Sequence, residues 1–492
     1  MKKSITTQED IKKLIIDLEQ EWPVDKWLIN DIHIWPYIRI KIYIHLLVQM
    51  NNKNDSGEFK KSVKKHRISP INYSLQLLKV FPSALRLTYF FFSLKKKKLL
   101  FFGSHFHRVL NDDKYFNRFY DSMVSHHQLE DDVYMVEYQR VYEKMYNQKA
   151  VIKLKDKLND YTLISKVTSK FSKTKLVLEN YNDFYLYVST NIVELNNLKI
   201  STEVLVKWAN KIKSLNGFYR ILYKRVKPSK IIFLGYYGLD DLTAALFVGN
   251  ELKIKTIDFQ HGPQTNIHMA YTCWTKLPQK GFNTMPVEFW NWDLNSKSNI
   301  EEWADKTQTV TAKIVGQPYI SYYLNKFQNI TDNNERKIFY SLQTKPFSIE
   351  DMITPKIILL IKNFDYKWIL RLHPRNNINL LELNEYLILN NIVDKTIIEE
   401  AFQNPLPDSL NSSVLHVTNY SGCLIEAYLM GIPTLLIHNI GKEMFSSYID
   451  EKKVFYLDQN DINFENDFSK LVQQLETEKK QPFKLEIHNP LS

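Results

Sequence analysis

The sequence predicts an α/β protein of two open domains whose parallel sheets face one cleft, preceded by an N-terminal helical extension. Three observations carry that prediction. Short apolar strands alternate with helical stretches of about ten to fifteen residues. The same alternation restarts near residue 330, and the first 95 residues have a different texture. A chain of 492 residues also exceeds what one hydrophobic core usually organises.

Residues 1–95 show helical spacing in "IKKLIIDLEQEW" and "WPYIRIKIYIHLLVQM", then a polar break at Asn51–Glu58. The apolar stretch Ile71–Leu94 is interrupted by Lys79, Pro82 and Arg86 and followed by Lys95–Lys98. That suits an interfacial or packed helix better than a membrane span, and it makes an anionic membrane surface a candidate partner. Residues 96–325 hold the strand candidates "KLLFFG", "DVYMVEY", "KLVLEN", "SKIIFLGYYG" and "KIKTIDFQHG", with "DDLTAALFVGNEL" as the clearest helix. "AKIVGQPYISYYL" closes this domain with a strand, then Gly316 and Pro318 as a turn. Residues 326–492 hold "KIFYSLQ", "KWILRLHP", "KTIIEE", "VLHVTN", "TLLIHN" and "VFYLDQ". Right-handed crossovers between such strands build parallel sheets, and ligands bind at the carboxyl ends of their strands. No internal repeat or low-complexity tract interrupts this plan.

Two cysteines, Cys273 and Cys423, support neither a disulfide framework nor a Cys-based zinc site, so a reducing compartment, the cytoplasm, is expected. The start, MKKSITTQEDIKK, places charges where a signal peptide needs its apolar segment, which argues against export. A net charge of +11 and an isoelectric point near 9.1 suit nucleic acid, an anionic membrane surface or anionic ligands. The Lys/Arg excess is spread along the chain and no zinc-finger or RNP-type signature appears, so nucleic acid is not expected.

Three segments at predicted strand ends could carry chemistry. In "TNYSGCLIEAYLMGIP" a strand runs into Ser421 and Gly422, which open a helix, with Glu426 about one turn in. Unpaired N–H groups at a helix start suit a phosphate, the Ser421 hydroxyl adds a donor, and Glu426 can accept from ribose hydroxyls. A simple cap formed by Ser421, with Glu426 as a first-turn acid, explains the same spacing. In "WILRLHPR" a strand ends in His373 and Pro374, with Arg371 and Arg375 on either side; it offers an anion a histidine and two cations, or is an ordinary basic terminus. In "TIDFQHGPQTNI" Gln260 and His261 end a strand, Gly262 permits close backbone approach, and Pro263 stops further pairing. His268 and Tyr271 extend that polar lining, though a strand-end histidine is often only a hydrogen-bonded structural residue.

No P-loop, GxGxxG, HExxH, GxSxG or metal-ligand cluster is present, which disfavours P-loop phosphoryl transfer, nicotinamide redox chemistry and zinc hydrolysis. The acidic pairs Asp112-Asp113, Asp131-Asp132 and Asp240-Asp241 read first as turns or helix caps. Asp240 and Asp241 also follow a strand end in the same domain as the Gln-His-Gly stretch.

"LRLHPR" followed by "TNYSGCLIEAYLMGIPTLLI" resembles the nucleotide-binding half of GT-B glycosyltransferases, which have two Rossmann-like domains around a cleft. The His-Pro and Ser pair is similar to the motifs by which bacterial sialyltransferases and Kdo transferases hold CMP. The Gln-His-Gly stretch, "FWNWD" and "VGQPYI" resemble surface-polysaccharide transferases of capsule and O-antigen pathways. The resemblance spans about residues 98–460. It departs where Thr418 stands at the position of a second acid of many retaining enzymes, and "LDDL" lacks the glycine of the sialyltransferase signature.

The resemblance implies metal-independent transfer, without a cofactor, of a sugar from a nucleotide donor, CMP-linked by preference, to a glycan or lipid-linked glycan of the bacterial surface. Arg371, His373, Pro374, Arg375, Ser421, Gly422 and Glu426 would hold the nucleotide. The acceptor's base would be His261, Asp240 or Asp241, with His105 and Asp112 as further alternatives, and His105, Gln260, Gly262 and His268 would line the acceptor side. A cytoplasmic location is expected, and the aromatic, Lys-flanked segment Ile71–Lys98 adds a peripheral position at the inner face of the cytoplasmic membrane as a separate expectation. Alternatives are a CDP-polyol phosphotransferase, although "TNYSG" lacks that group's Asp and second Ser, a sugar-nucleotide 2-epimerase, and a non-catalytic assembly scaffold.

Overall fold

A computed structural model describes residues 5–52, 71–111, 113–139, 141–168, 174–326, 336–344, 347–374, 378–401, 404–449, 453–477 and 486–492. Two parallel sheets organise it. The first runs β1 (Leu99–Gly103), β2 (Val133–Glu137), β3 (Val151–Lys153), β4 (Lys230–Phe233), β5 (Lys255–Phe259), β6 (Glu288–Asn291) and β7 (Thr311–Ile314). Its spatial order is β3-β2-β1-β4-β5-β6-β7. The second comprises β8 (Lys337–Ser341), β9 (Lys367–Arg371), β10 (Thr396–Glu399), β11 (Leu415–Thr418), β12 (Thr434–Leu436) and β13 (Val454–Tyr456), ordered β10-β9-β8-β11-β12-β13. Both sheets start in the middle, grow to one edge, then return to the other side of their first strand. Each therefore has one switch point, between β1 and β4 and between β8 and β11, where diverging connections leave a crevice.

The strands form because their sequences are continuous apolar runs that only a sheet covered on both faces can bury. Every residue of Leu99–Gly103 is buried. All six strands expected in the second domain are present. In the first, "KLVLEN" supplies only Leu176–Val177, which pairs antiparallel with Leu28–Ile29 in a small sheet outside the parallel one. Leu176 and Val177 are largely exposed, so they act as an edge rather than a buried run. Two strands of the parallel sheet were not expected from sequence, β3 and β6, because three or four residues with polar ends give no apolar run.

The N-terminal segment is helical, with α1 (Gln8–Glu21), α2 (Trp35–Asn52) and α3 (Ile71–Ser93). Among the described residues no helix is long and apolar enough to cross a membrane. The buried residues of α1 and α2, including Ile11, Ile15, Trp35 and Ile38, share one core with Phe102 and Phe233 of the first sheet and with the long helix α5 (Thr202–Val226), which follows α4 (Leu154–Thr168) and precedes α6 (Asp240–Glu251). The opposite face of that sheet belongs to a core that continues into the second domain through Phe339, Ile369, Leu424 and Leu436. Tyr448 donates from its hydroxyl to Asp293 Oδ2 at 2.7 Å across the domains, and Lys230 Nζ donates to the Pro490 carbonyl of the returning C-terminus at 2.9 Å.

A fully buried ion pair fastens α1 and α2 to the loop that follows the Gln-His-Gly stretch. Glu19 Oε1 accepts from Arg39 Nε at 2.7 Å and from the Trp35 indole at 2.9 Å, and Oε2 accepts from the Thr275 amide and hydroxyl at 2.8 and 2.7 Å. The Arg39 guanidinium donates to the carbonyls of Met269, Thr272 and Cys273 and stacks over Trp274, 3.9 Å from its ring centre. Every charged atom here is compensated, so removing one partner leaves the other buried and unpaired. Glu19→Ala should therefore lower the unfolding free energy by about 3–5 kcal/mol in chemical denaturation, far beyond the roughly 0–1 kcal/mol expected of a surface pair.

Candidate functional site

The carboxyl ends of the two sheets meet across a cavity of about 380 Å³. Arg118, Tyr237, His261, Gly262, Pro263, His268 and Trp292 form its first-domain wall; Ser341, His373, Pro374, Ser421, Gly422 and Glu426 form the facing one. Both switch points open into it: Tyr237 follows β4, Ser341 ends β8, and Ser421 follows β11. The walls touch where a Cβ on Gly422 would lie 3.0 Å from Pro263 Cγ and Cδ. Gly422 has an ordinary right-handed φ of −60°, so it is contact with the opposite domain that excludes a side chain there.

On the first wall, Asp258 of β5 is buried and accepts from the Tyr236 amide at 2.8 Å. Burial pushes its carboxyl up to about 8, against the lowering effect of the Tyr236 and Gly235 amides, so it holds a proton at neutral pH. This bond shapes the turn after β4, where Gly235 has φ +82° and lies against the His261 ring. A Cβ there would come within 2.8 Å of His261 Cε1, so Gly235 is required both for its φ and for the space. His261 thereby sits beside His107, with ring centres 5.6 Å apart.

Neutral neighbours surround it. Burial, then the nearby His261, Arg118, Arg108 and His105, hold His107 well below the usual imidazole range. Burial and then His261 lower His268 to about 4. His268 Nδ1 accepts from the Ala270 amide at 3.4 Å, which leaves the proton on Nε2, 3.2 Å from the Tyr237 hydroxyl. The Trp292 indole N–H on the same wall has no hydrogen-bond partner among the described residues.

On the second wall, the Ser421 amide donates to Thr418 Oγ1 at 3.0 Å, and the Ser421 hydroxyl accepts from the Cys423 amide at 3.3 Å. The helix that Gly422 opens, α7 (Cys423–Leu429), has only seven residues. Ser421 is thus partly a local cap, and a helix dipole has little to add. Glu426 is buried and accepts from Gln317 Nε2 at 3.1 Å, which gives the Gly-Gln-Pro turn a definite role. Burial raises the Glu426 carboxyl, with Arg118, Gln317 and Arg371 opposing that rise.

Of the residues read from sequence, His261, Gly262, His268, Arg371, His373, Pro374, Ser421, Gly422 and Glu426 line this one cleft. Others do not. Gln260 is buried beneath it, donating to the Gly262 carbonyl at 3.1 Å and Ser296 Oγ at 3.0 Å and accepting from the Trp292 amide at 2.7 Å. It braces the wall because alternation along the strand end turns it inward. Arg371 faces the cleft but is bound to Glu399 and to the carbonyls of Ala401 and Asn404, so its charge is already balanced. His105 stands outside the lining, its ring 3.9 Å from that of Phe106.

Asp240 and Asp241, read as a turn or helix cap and as candidate bases, form the first turn of α6 and do not line the cleft. The turn Gly235–Leu239 carries Asp240 to the edge of a separate groove, and its carboxylate pairs with Lys211 Nζ at 2.8 Å. Arg375 and Asp112 lie outside the described residues. The sequence reading missed Arg118, whose buried Nε has no partner among the described residues. Its position after the hairpin Arg108–Asn111 and Lys114–Asn117 carries no motif. Asp258 had a signal that went unused, a carboxylate inside the apolar run "TIDF".

No family model matches the sequence, and no curated protein matches it. Solved structures with a similar arrangement of elements include UDP-GlcNAc 2-epimerase from Neisseria meningitidis bound to UDP-GlcNAc, at 15% identity and a TM-score of 0.41, covering 80% of this chain and 95% of that one. The MnaA–UDP structure from S. aureus has 12% identity and a TM-score of 0.45, covering 80% and 93%. MurG from Acinetobacter baumannii has 10% identity and a TM-score of 0.39, covering 77% and 92%. The chemistry of the cleft is accordingly read from its own residues.

The Asp258 proton has a measurable consequence. The folded state keeps it up to about pH 8 while the unfolded chain releases it near 3.8, so its stabilising effect is complete at low pH and is lost as pH rises towards 8. The margin by which the wild type exceeds Asp258→Asn in unfolding free energy should shrink by roughly 4 kcal/mol between pH 5 and 8, at about 1.36 kcal/mol per unit. Denaturation of both proteins across that range checks this; a constant margin would contradict it.

Proposed function

We propose that this chain is a glycosyltransferase that takes a sugar from a nucleotide-activated donor, CMP-linked by preference, and adds it to a glycan acceptor of the bacterial surface. The observation that carries this reading is the convergence of the His-Pro, Ser-Gly and Gln-His-Gly strand ends on one cleft shared by both domains. The charge balance supports a single phosphate. Among the described residues of the lining, Arg108 is paired with Glu137 and Asp121, and Arg371 with Glu399, which leaves Arg118, whose charge acts on the nearby Glu426, as the guanidinium that forms no ion pair.

In this reading His373, Pro374, Ser421 and Gly422 hold the nucleotide, and Glu426, fixed by Gln317, receives the ribose hydroxyls. Arg118 reaches over from the first domain to the departing phosphate, where negative charge grows as the glycosidic bond breaks. A fixed cation in a partly desolvated cleft is worth more there than in water. His261, on the opposite wall and flanked by neutral histidines, takes the acceptor's proton. No step requires a metal.

A thermal-shift panel of CMP, CDP, UDP and GDP tests the donor assignment. CMP at about 100 times its Kd should stabilise the wild type by roughly 2.7 kcal/mol. Arg118→Ala and His373→Ala should lose most of that shift, and their retaining it would sink the assignment. His261→Ala should keep the nucleotide shift yet lower turnover by about 10²–10⁴-fold. Product analysis with labelled donor separates a glycan–sugar bond from a phosphodiester or an epimerised nucleotide.

A further inference from the structure

We propose that the outer face of α3 docks this protein on an anionic lipid surface. Phe81, Leu85, Tyr89 and Phe92 recur at helical spacing and stand 70, 56, 78 and 69% exposed. The opposite face of the same helix, with Leu87, Phe90 and Phe91, is buried in the first domain's core. Such a helix is apolar on both sides, although one side faces water. A run of large exposed side chains on one face marks a contact surface, whereas scattered exposed hydrophobes do not.

Charge selects the occupant. The sequence from Ile71 to Asn111 contains no Asp or Glu, and the helix is followed at once by Lys95–Lys98. Lys98 is paired with Asp132 at 3.1 Å, while Lys95 and Lys96 are exposed and make no ion pair among the described residues. Arg225, at the end of α5, lies 4.5 Å over the Phe92 ring and brings a further cation to the rim. Asp132 and Asp160 at the rim are taken up by Lys98 and Arg86, so the unpaired charge beside the apolar stripe is positive, the arrangement by which a helix settles at the boundary of acyl chains and acidic headgroups. A protein partner would need a matching acidic surface with an apolar centre, which is a narrower requirement than a bilayer presents. This assignment does not depend on the nucleotide reading of the cleft.

Flotation of the full chain with vesicles of phosphatidylglycerol and phosphatidylcholine in equal parts, against pure phosphatidylcholine, tests it. The wild type should float with the anionic vesicles and be released by salt. The triple substitution Phe81→Ser, Tyr89→Ser, Phe92→Ser should reduce binding at least tenfold with its melting temperature and nucleotide shift unchanged. Each of Lys95→Ala and Lys96→Ala should weaken anionic binding about fivefold. Equal flotation of the triple variant would overturn the proposal, as would failure of the wild type to bind. A wild-type dimer in light scattering that the triple variant dissociates would assign the face to a second copy instead, and so also overturn it.

Discussion

The contact between Pro263 and Gly422 fixes the geometry on which the site depends. One residue lies in the turn that follows β5 of the first sheet, the other opens a helix of the second domain, and a single added carbon on Gly422 would crowd the Pro263 ring at 3.0 Å. Because the two turns meet, the cations, histidines and carboxyl groups around them face one another across a small volume rather than lining two separate surfaces. Each sheet has its switch point at this place, so the topology leaves the crevice open while the turns define its width.

Support for that geometry comes from behind the walls. Gln260, Asp258 and Gly235 set the turn that carries His261, and none of them needs to touch a ligand to do so. Glu19 and Arg39 anchor the next stretch, Met269–Thr275, to the N-terminal helices. Across the cleft Gln317 holds Glu426, and Asp293 of the first domain, which caps its own helix, also receives the Tyr448 hydroxyl of the second. The first domain's wall is therefore rigid through buried polar bonds, which are costly to break, rather than through the identity of its exposed residues.

The two-domain α/β plan was legible because buried parallel strands are continuous apolar runs, as in "LLFFG" and "KWILR", and these survive in a single sequence. So were the three strand ends, since Gly and Pro beside His or Ser mark places where a chain turns and exposes its backbone. What could not be read was orientation. Gln260 and His261 are adjacent, yet strand alternation sends one into the core and the other into the cleft. Arg371 looked like a free cation because Glu399, which neutralises it, is distant in sequence and adjacent only through strand pairing. Arg118 was invisible for the complementary reason: nothing near it in sequence says which cavity its loop approaches.

In the proposed function one ligand is held by both domains at once. A crystal structure of the protein with the nucleotide that stabilises it most tests this directly. The account predicts the phosphate between Arg118 and the Ser421–Gly422 turn, the ribose at Glu426, and His261 facing the point where a sugar would leave. A nucleotide bound to one domain alone, or anywhere outside the cleft that Pro263 and Gly422 close, would contradict it.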